Sequence, residues 1–157
     1  MINIDETIGI LIIQEVGGSI VLHIVLAADG TIHRMGQNKA EHHANGTFIG
    51  RTDPKLFNEL KSSLHPDMLS VFQHQIENWD IEGQPFNTKV ICKTKDRKTG
   101  VESTYGGQYT GPSDVVTAFV TKAVQLTDPW YAEQHQVAET EKAAMKPWWK
   151  VMCNLNG

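Results

Sequence analysis

The stretch TIGILIIQEVGGSIVLHIVLAADGTIHRM, residues 7–35, decides the fold. Two apolar, β-branched runs, Thr7 to Val16 and Ser19 to Ala27, flank Gly17-Gly18, and Ala28-Asp29-Gly30 leads into a third run ending at Met35. Gly-Gly and Asp-Gly between such runs are strong hairpin signals, because tight hairpin turns need residues that tolerate positive φ. The pattern predicts a three-stranded antiparallel meander.

Register follows from turn length. A two-residue Gly17-Gly18 loop pairs Val16 with Ser19, Ile13 with Leu22, Ile12 with His23 and Leu11 with Ile24. One face then carries Leu11, Ile13, Leu22, Ile24 and Leu26, and the other Ile8, Ile10, Ile12, Val21, His23 and Val25. Both are largely apolar, unlike a sheet with one wet face, so the hairpin is expected to be covered on both sides. At the second turn a three-residue loop with Gly30 left-handed matches apolar to apolar. It pairs Leu26 with Ile32 and His23 with Met35, and it puts His23 and His33 on one face as diagonal neighbours.

Beyond the meander, Gln37 to Arg51 reads as polar and irregular. Asp53-Pro54 opens a helix with Leu56, Phe57, Leu60 and Leu64 at helical spacing. A short second helix through Met68, Leu69 and Phe72 follows, then a connector with Trp79. Phe86 to Lys95 and Val101 to Tyr109 read as a hairpin around Arg97-Lys98-Thr99-Gly100, with a possible bulge site at Gly106-Gly107. Ser113 to Leu126 is the best helix, with Val116, Phe119, Val120 and Ala123 as its stripe. Thr127-Asp128-Pro129 repeats the cap-then-proline pattern and predicts a new helix. Lys146-Pro147 predicts its end. The expected fold is α+β: an antiparallel sheet, made of the N-terminal meander plus a second hairpin, packed with about four helices. Residues 1–157 are expected to form a single domain, with 140–157 a candidate mobile tail.

Composition narrows the function. The 157 residues are enough for a substantial core, and 40% hydrophobic with 20% charged residues is ordinary for a globular chain. A net charge of -4 argues against a nucleic-acid binder, which needs a basic face. No apolar run is long enough to span a bilayer as a helix. Met1 to Glu6 is acidic where a secretion signal needs basic residues, so a cytoplasmic chain is expected. Cys92 and Cys153 make no disulfide framework, and reduced thiols are expected, with one bridge between them as the alternative.

Seven histidines invite a metal reading. His23 and His33 are the candidates, but zinc needs three or four converging ligands, and no HExxH or CxxC spacing occurs. His42 and His43 are adjacent, so in an extended segment they point apart. There is no G-x-S-x-G elbow, Cys92 reads as strand packing, and Asp80/Glu82 and Glu139/Glu141 read as solvated pairs. No cofactor motif is present. Lys89, Lys93, Lys95 and Arg97 alternate along one strand, which reads either as an anion or acidic-partner site or, preferred here, as lysines protecting an exposed edge. Trp130, Tyr131, Trp148 and Trp149 are candidate interface anchors, and with Lys93 and Lys95 they make up the expected partner-binding set.

These features point to a non-enzymatic protein-binding module. A small, acidic, motif-free α+β domain resembles bacterial toxin-neutralising immunity proteins in general profile, which implies occlusion of a partner. The expected partner is another protein or a second copy of the chain, with no nucleic acid, membrane or cofactor. Two alternatives remain open: an enzyme or ligand binder with a His23/His33 pocket between sheet and helices, joined by Tyr105 or Tyr109, and a self-assembling structural subunit.

Overall fold

A computed structural model describes residues 3–36, 46–69, 73–76, 85–105 and 113–154, the side chains of 69, 73–76, 105 and 145–154 excepted. The chain divides after Thr127 into two compact units, Met1–Thr127 and Asp128–Gly157. The first holds strands β1 (Gly9–Val16), β2 (Ser19–Ala27), β3 (Thr31–Met35), β4 (Phe48–Arg51), β5 (Gln73–Ile76), β6 (Phe86–Lys93) and β7 (Lys98–Tyr105), with helix α1 (Lys55–Lys61). Helix α2 (Asp114–Asn154) begins in the first unit and makes up the described part of the second.

The strands form one sheet in the order β4-β3-β2-β1-β6-β7-β5. Six strands are antiparallel to their neighbours, and β5 runs parallel to β7 at the far edge. The meander and a second hairpin are present, joined by β1 against β6, but the turn of that hairpin falls at 94–97, and Lys98, Thr99 and Gly100, expected in the turn, belong to β7. The other parts of the expected architecture are overturned. The fold is sheet-dominated α+β, and the described residues hold two α-helices, one of them 41 residues long, in place of about four. The stretch read as irregular contains β4, and Met68 lies in a single 3-10 turn, Pro66–Leu69, that precedes β5. Phe72, Trp79 and Gly106-Gly107 lie outside the described residues.

The helix count fails at Thr127-Asp128-Pro129. A proline inside a helix lacks the N–H that the ladder needs and costs about 3 kcal/mol. Here the helix continues through Pro129, and the turn before the proline is held from the side. Thr127 Oγ1 donates to the Ala123 carbonyl at 2.7 Å, and Arg34 on β3 donates to Thr127 Oγ1 at 2.6 Å and to the Val124 carbonyl at 3.3 Å. A local cap signal is outweighed by a tertiary contact.

The first hairpin departs from its expected register by one residue. Val16 faces Ser19 and Glu15 faces Ile20, but Gln14 faces Leu22, so Val21 is an extra residue on β2. A bulge of one residue exchanges the faces of everything beyond it. Ile10 and Ile12 therefore join Leu22, Ile24 and Leu26 on one face, all at most 2% exposed, with Ile32, Arg34, Val90 and Cys92 beside them. Phe57, Leu60, Leu64, Met68, Val116, Phe119, Val120 and Ala123 are the other buried apolar side chains among the described residues of this unit. Burying each large aliphatic residue here contributes roughly 1.5–3 kcal/mol. The second turn has its expected register, with Leu26 opposite Ile32, His23 opposite Met35 and Gly30 at φ +90°. At the start of α1, Asp53 Oδ1 accepts the Lys55 N–H at 3.0 Å across Pro54.

Candidate functional site

The sheet face opposite the core is where the sequence-predicted residues gather. Side chains directly opposite one another on paired strands share a face, so the register lays out four rows across the strands. The first runs Arg51, Thr31, then Ala27, Gly9, Lys93 and Lys98. The second is Ile49, His33, Val25, Leu11, Ile91 and Gly100. The third is Met35, His23, Ile13, Lys89 and Glu102, and the fourth Ile20, Glu15, Asn87 and Thr104.

None of the apolar side chains in the two middle rows is buried. Leu11, Ile13, Val25, Met35 and Ile91 are half-buried, and Ile49 is 67% exposed. Ile20 beside them is 42% exposed. One face of the hairpin is thus buried and the other half-exposed. The bulge is the cause, since it collects the best-packing side chains of β1 and β2 on a single side.

His23 and His33 meet at the centre of this face, with ring centroids 6.3 Å apart and planes inclined at 28°. Burial among the strand side chains lowers the pKa of His23, and the charge of His33 adds to the effect. His23 is thus pushed towards its neutral form. It lies on the sheet face opposite Arg34, whose side chain contacts Val124 and Thr127. Among the described residues no group of three or more His, Cys, Asp or Glu side chains converges as a metal site would require. His42, His43 and Tyr109, and the side chain of Tyr105, lie outside the description.

The lysines are not edge guards. β6 lies between β1 and β7, inside the sheet, so the preferred reading of Lys89, Lys93 and Lys95 as protection for an edge strand is overturned. Alternation instead sends Lys89, Ile91 and Lys93 to the half-exposed face and buries Val90 and Cys92 behind it. Lys93 stands directly opposite Lys98, and Lys95 and Arg97 follow in the exposed turn, with Asp96 as the acidic residue among them. Like charges directly opposite on paired strands repel. At the other end of the face Glu102 pairs with Lys89 at 3.5 Å and accepts from Asn87 Nδ2 at 3.0 Å.

The aromatic candidates fall elsewhere. In the second unit Tyr131 is 4% exposed and meets His135 edge-on at 4.4 Å, while Trp130 is half-buried. Trp148 and Trp149 belong to α2, but their side chains lie outside the described residues. Cys92 is a free, fully buried thiol, so it forms no bridge to Cys153. Sequence reading missed Arg34, which is 0% exposed in the core. Its only sequence signal is a basic residue on the apolar side of a strand alternation. No helix in the described residues is long and apolar enough to cross a membrane.

No family model, curated protein or solved structure matches this chain.

Proposed function

We propose that the chain is a non-enzymatic protein-binding module of the inhibitor or immunity type, working in the cytoplasm, and that the half-exposed sheet face is its docking surface. One observation carries the reading: the row Ile49, His33, Val25, Leu11 and Ile91 runs across five strands without a buried side chain. A continuous apolar strip rimmed by charge is characteristic of protein contact surfaces. Lys93, Lys95, Arg97 and Lys98 sit at one end, opposite in sign to the net charge of -4. A partner seated there presents acidic groups at that end and apolar side chains along the strip. Binding by such a surface acts by covering the partner's own site.

The test is capture from the native lysate with the tagged chain, run beside Leu11→Arg. The expected result is one stoichiometric protein held by the parent and lost with the variant, while both unfold at similar temperatures. Capture that is identical for the two chains, or absent from both, refutes the reading.

A further inference from the structure

Two imidazoles and a thioether gather on neighbouring strands of the half-exposed face. His23 on β2 stands directly opposite Met35 on β3, and His33 is two residues from Met35 on the same strand. Side chains two residues apart on a strand point the same way, so all three share one face. Facing Cβ atoms are about 5 Å apart, and residues i and i+2 of a strand about 7 Å, so the three mark the corners of one small triangle. All three side chains are half-buried.

The ring spacing fits an ion. A metal held by one nitrogen of each imidazole at ~2.0–2.1 Å sets the ring centroids about 5–6.5 Å apart, depending on the angle at the metal. The centroids of His23 and His33 lie 6.3 Å apart, near the linear end of that range. Met35 is placed to supply a third donor, because an unbranched thioether with three rotatable bonds adapts to an irregular gap.

The donors choose the metal. Among the described residues no third histidine, thiol or carboxylate converges with the pair. Zinc takes three or four such ligands and is short of partners here. Thioether sulfur is soft and selects copper(I), which imidazole also suits. Charge points the same way. Histidine and methionine are neutral donors, and the neighbours across the strands are apolar, Ile13 facing His23, and Val25 and Ile49 facing His33. Neutral donors in apolar surroundings favour the ion of lower charge.

We infer that His23, His33 and Met35 bind one monovalent copper ion, the two imidazoles holding it near-linearly and the thioether closing the third position. The inference goes beyond the docking surface and does not rest on it. All three donors come from this chain, on two strands joined by the turn at 28–30, so the site is complete without a partner.

Competition against a chromophoric copper(I) chelator tests it, without oxygen and with ascorbate present. The full chain carries Cys153→Ser, which leaves the buried Cys92 as its only thiol. One equivalent of copper(I) per chain is expected, and an excess of zinc should leave it in place. His23→Gln and His33→Gln should each weaken binding more than about 100-fold and Met35→Leu about tenfold or more, since losing even an outer-shell partner costs ~10–100-fold. X-ray absorption at the copper edge should show one sulfur and two nitrogen neighbours in the parent and no sulfur in Met35→Leu. Melting temperatures of the metal-free chains check that each variant folds. Met35→Leu keeps size and apolar character, so its loss of the sulfur signal decides the matter even where a histidine variant unfolds. Binding that survives both histidine variants, a copper shell without sulfur in the parent, or displacement by zinc overturns the inference. Capture by the docking surface and its Leu11→Arg control read out separately, so either reading can fail while the other stands.

Discussion

Arg34 on β3 and Thr127 on α2, 93 residues apart in the chain, are joined by a 2.6 Å hydrogen bond inside the core. The same guanidinium donates to the Gly36 carbonyl through Nε at 3.1 Å and Nη2 at 2.9 Å, and through Nη1 to the Val124 carbonyl at 3.3 Å. A fully buried arginine is tolerated because its planar fork spends its donors on several acceptors at once. The cluster fixes the end of β3 and carries α2 through the turn before Pro129.

Replacing Arg34 by methionine keeps the length and removes the guanidinium donors to Gly36, Val124 and Thr127. A loss of about 3 kcal/mol is expected, read as a lower urea midpoint. Arg34→Lys should recover only a minor part, since one ammonium cannot span the same acceptors. Full stability in the lysine variant would show that charge alone, not the fork, holds the helix.

Gly36 follows from the same corner. Its φ is +80°, and a Cβ there would fall on the carbonyl oxygen of Val21, the extra residue of the β2 bulge. Gly36→Ala pays both for a left-handed backbone and for a backbone collision that no rotamer relieves. A loss of at least about 2 kcal/mol is expected, well above the usual surface substitution. Gly46→Ala is the control, with φ +90° but open space around the added carbon, and it should cost much less.

The pH dependence of stability should carry the signature of His23. Its folded pKa lies below the ordinary histidine value of about 6.5, through burial first and then the neighbouring His33. Below about 6.5 the unfolded chain takes up a proton that the folded chain refuses, so stability falls with pH until the lower folded value is reached, and is at its full value above 6.5. His33 is the nearest titrating ring, and Glu15, Lys89 and Glu102 share the face. Urea midpoints at dilute concentration should drop more steeply between pH 7.5 and about 5 for the parent than for His23→Gln. Parallel pH curves for the two chains would remove His23 from the account.

Local signals carried the parts of the fold that local chemistry decides. The turns at Gly17-Gly18 and Ala28-Asp29-Gly30, the Leu26 to Ile32 register, the Asp53-Pro54 helix start and the Val116, Phe119, Val120, Ala123 stripe all sit where the residues say they should. The Val21 bulge was illegible, because Ile20 to Ala27 is apolar at every position but His23 and offers either register similar hydrophobicity, and only packing against Ile10 and Ile12 chooses. β4 is four residues long and has no periodicity to read. The turn before Pro129 is bonded to Arg34, far away in sequence, and the insertion of β6 beside β1 is likewise a long-range pairing. The meeting of His23 with His33 was legible from the turn alone. That the lysines of β6 face outward from the middle of the sheet was not, because strand order is a long-range property.

Thr99 is a place where the core is imperfect. It is 3% exposed on β7, opposite Cys92, and its hydroxyl has no hydrogen-bond partner. A desolvated hydroxyl without a partner costs about 1–3 kcal/mol. Thr99→Val keeps the β-branched shape that strands favour and removes the polar atom. Stabilisation of about 1 kcal/mol is expected, a rise in Tm of about 2–4 °C for a chain of this size. A lower Tm would mean that the hydroxyl is bonded after all.

Cys92 should behave as packing rather than as chemistry. The thiol is 0% exposed between β1 and β7, and burial pushes its pKa up to about 12. The thiolate is the reactive form, so at pH 8 both its population and its access to reagent are minimal. In a Cys153→Ser background, a disulfide reagent should label the folded chain only as fast as the chain opens, and immediately in denaturant. Because the labelling rate then follows the opening equilibrium, Arg34→Met should accelerate it, while Leu11→Arg on the other face should leave it unchanged. Rapid labelling of the native parent would place the thiol in an accessible niche and return it to the list of candidate nucleophiles.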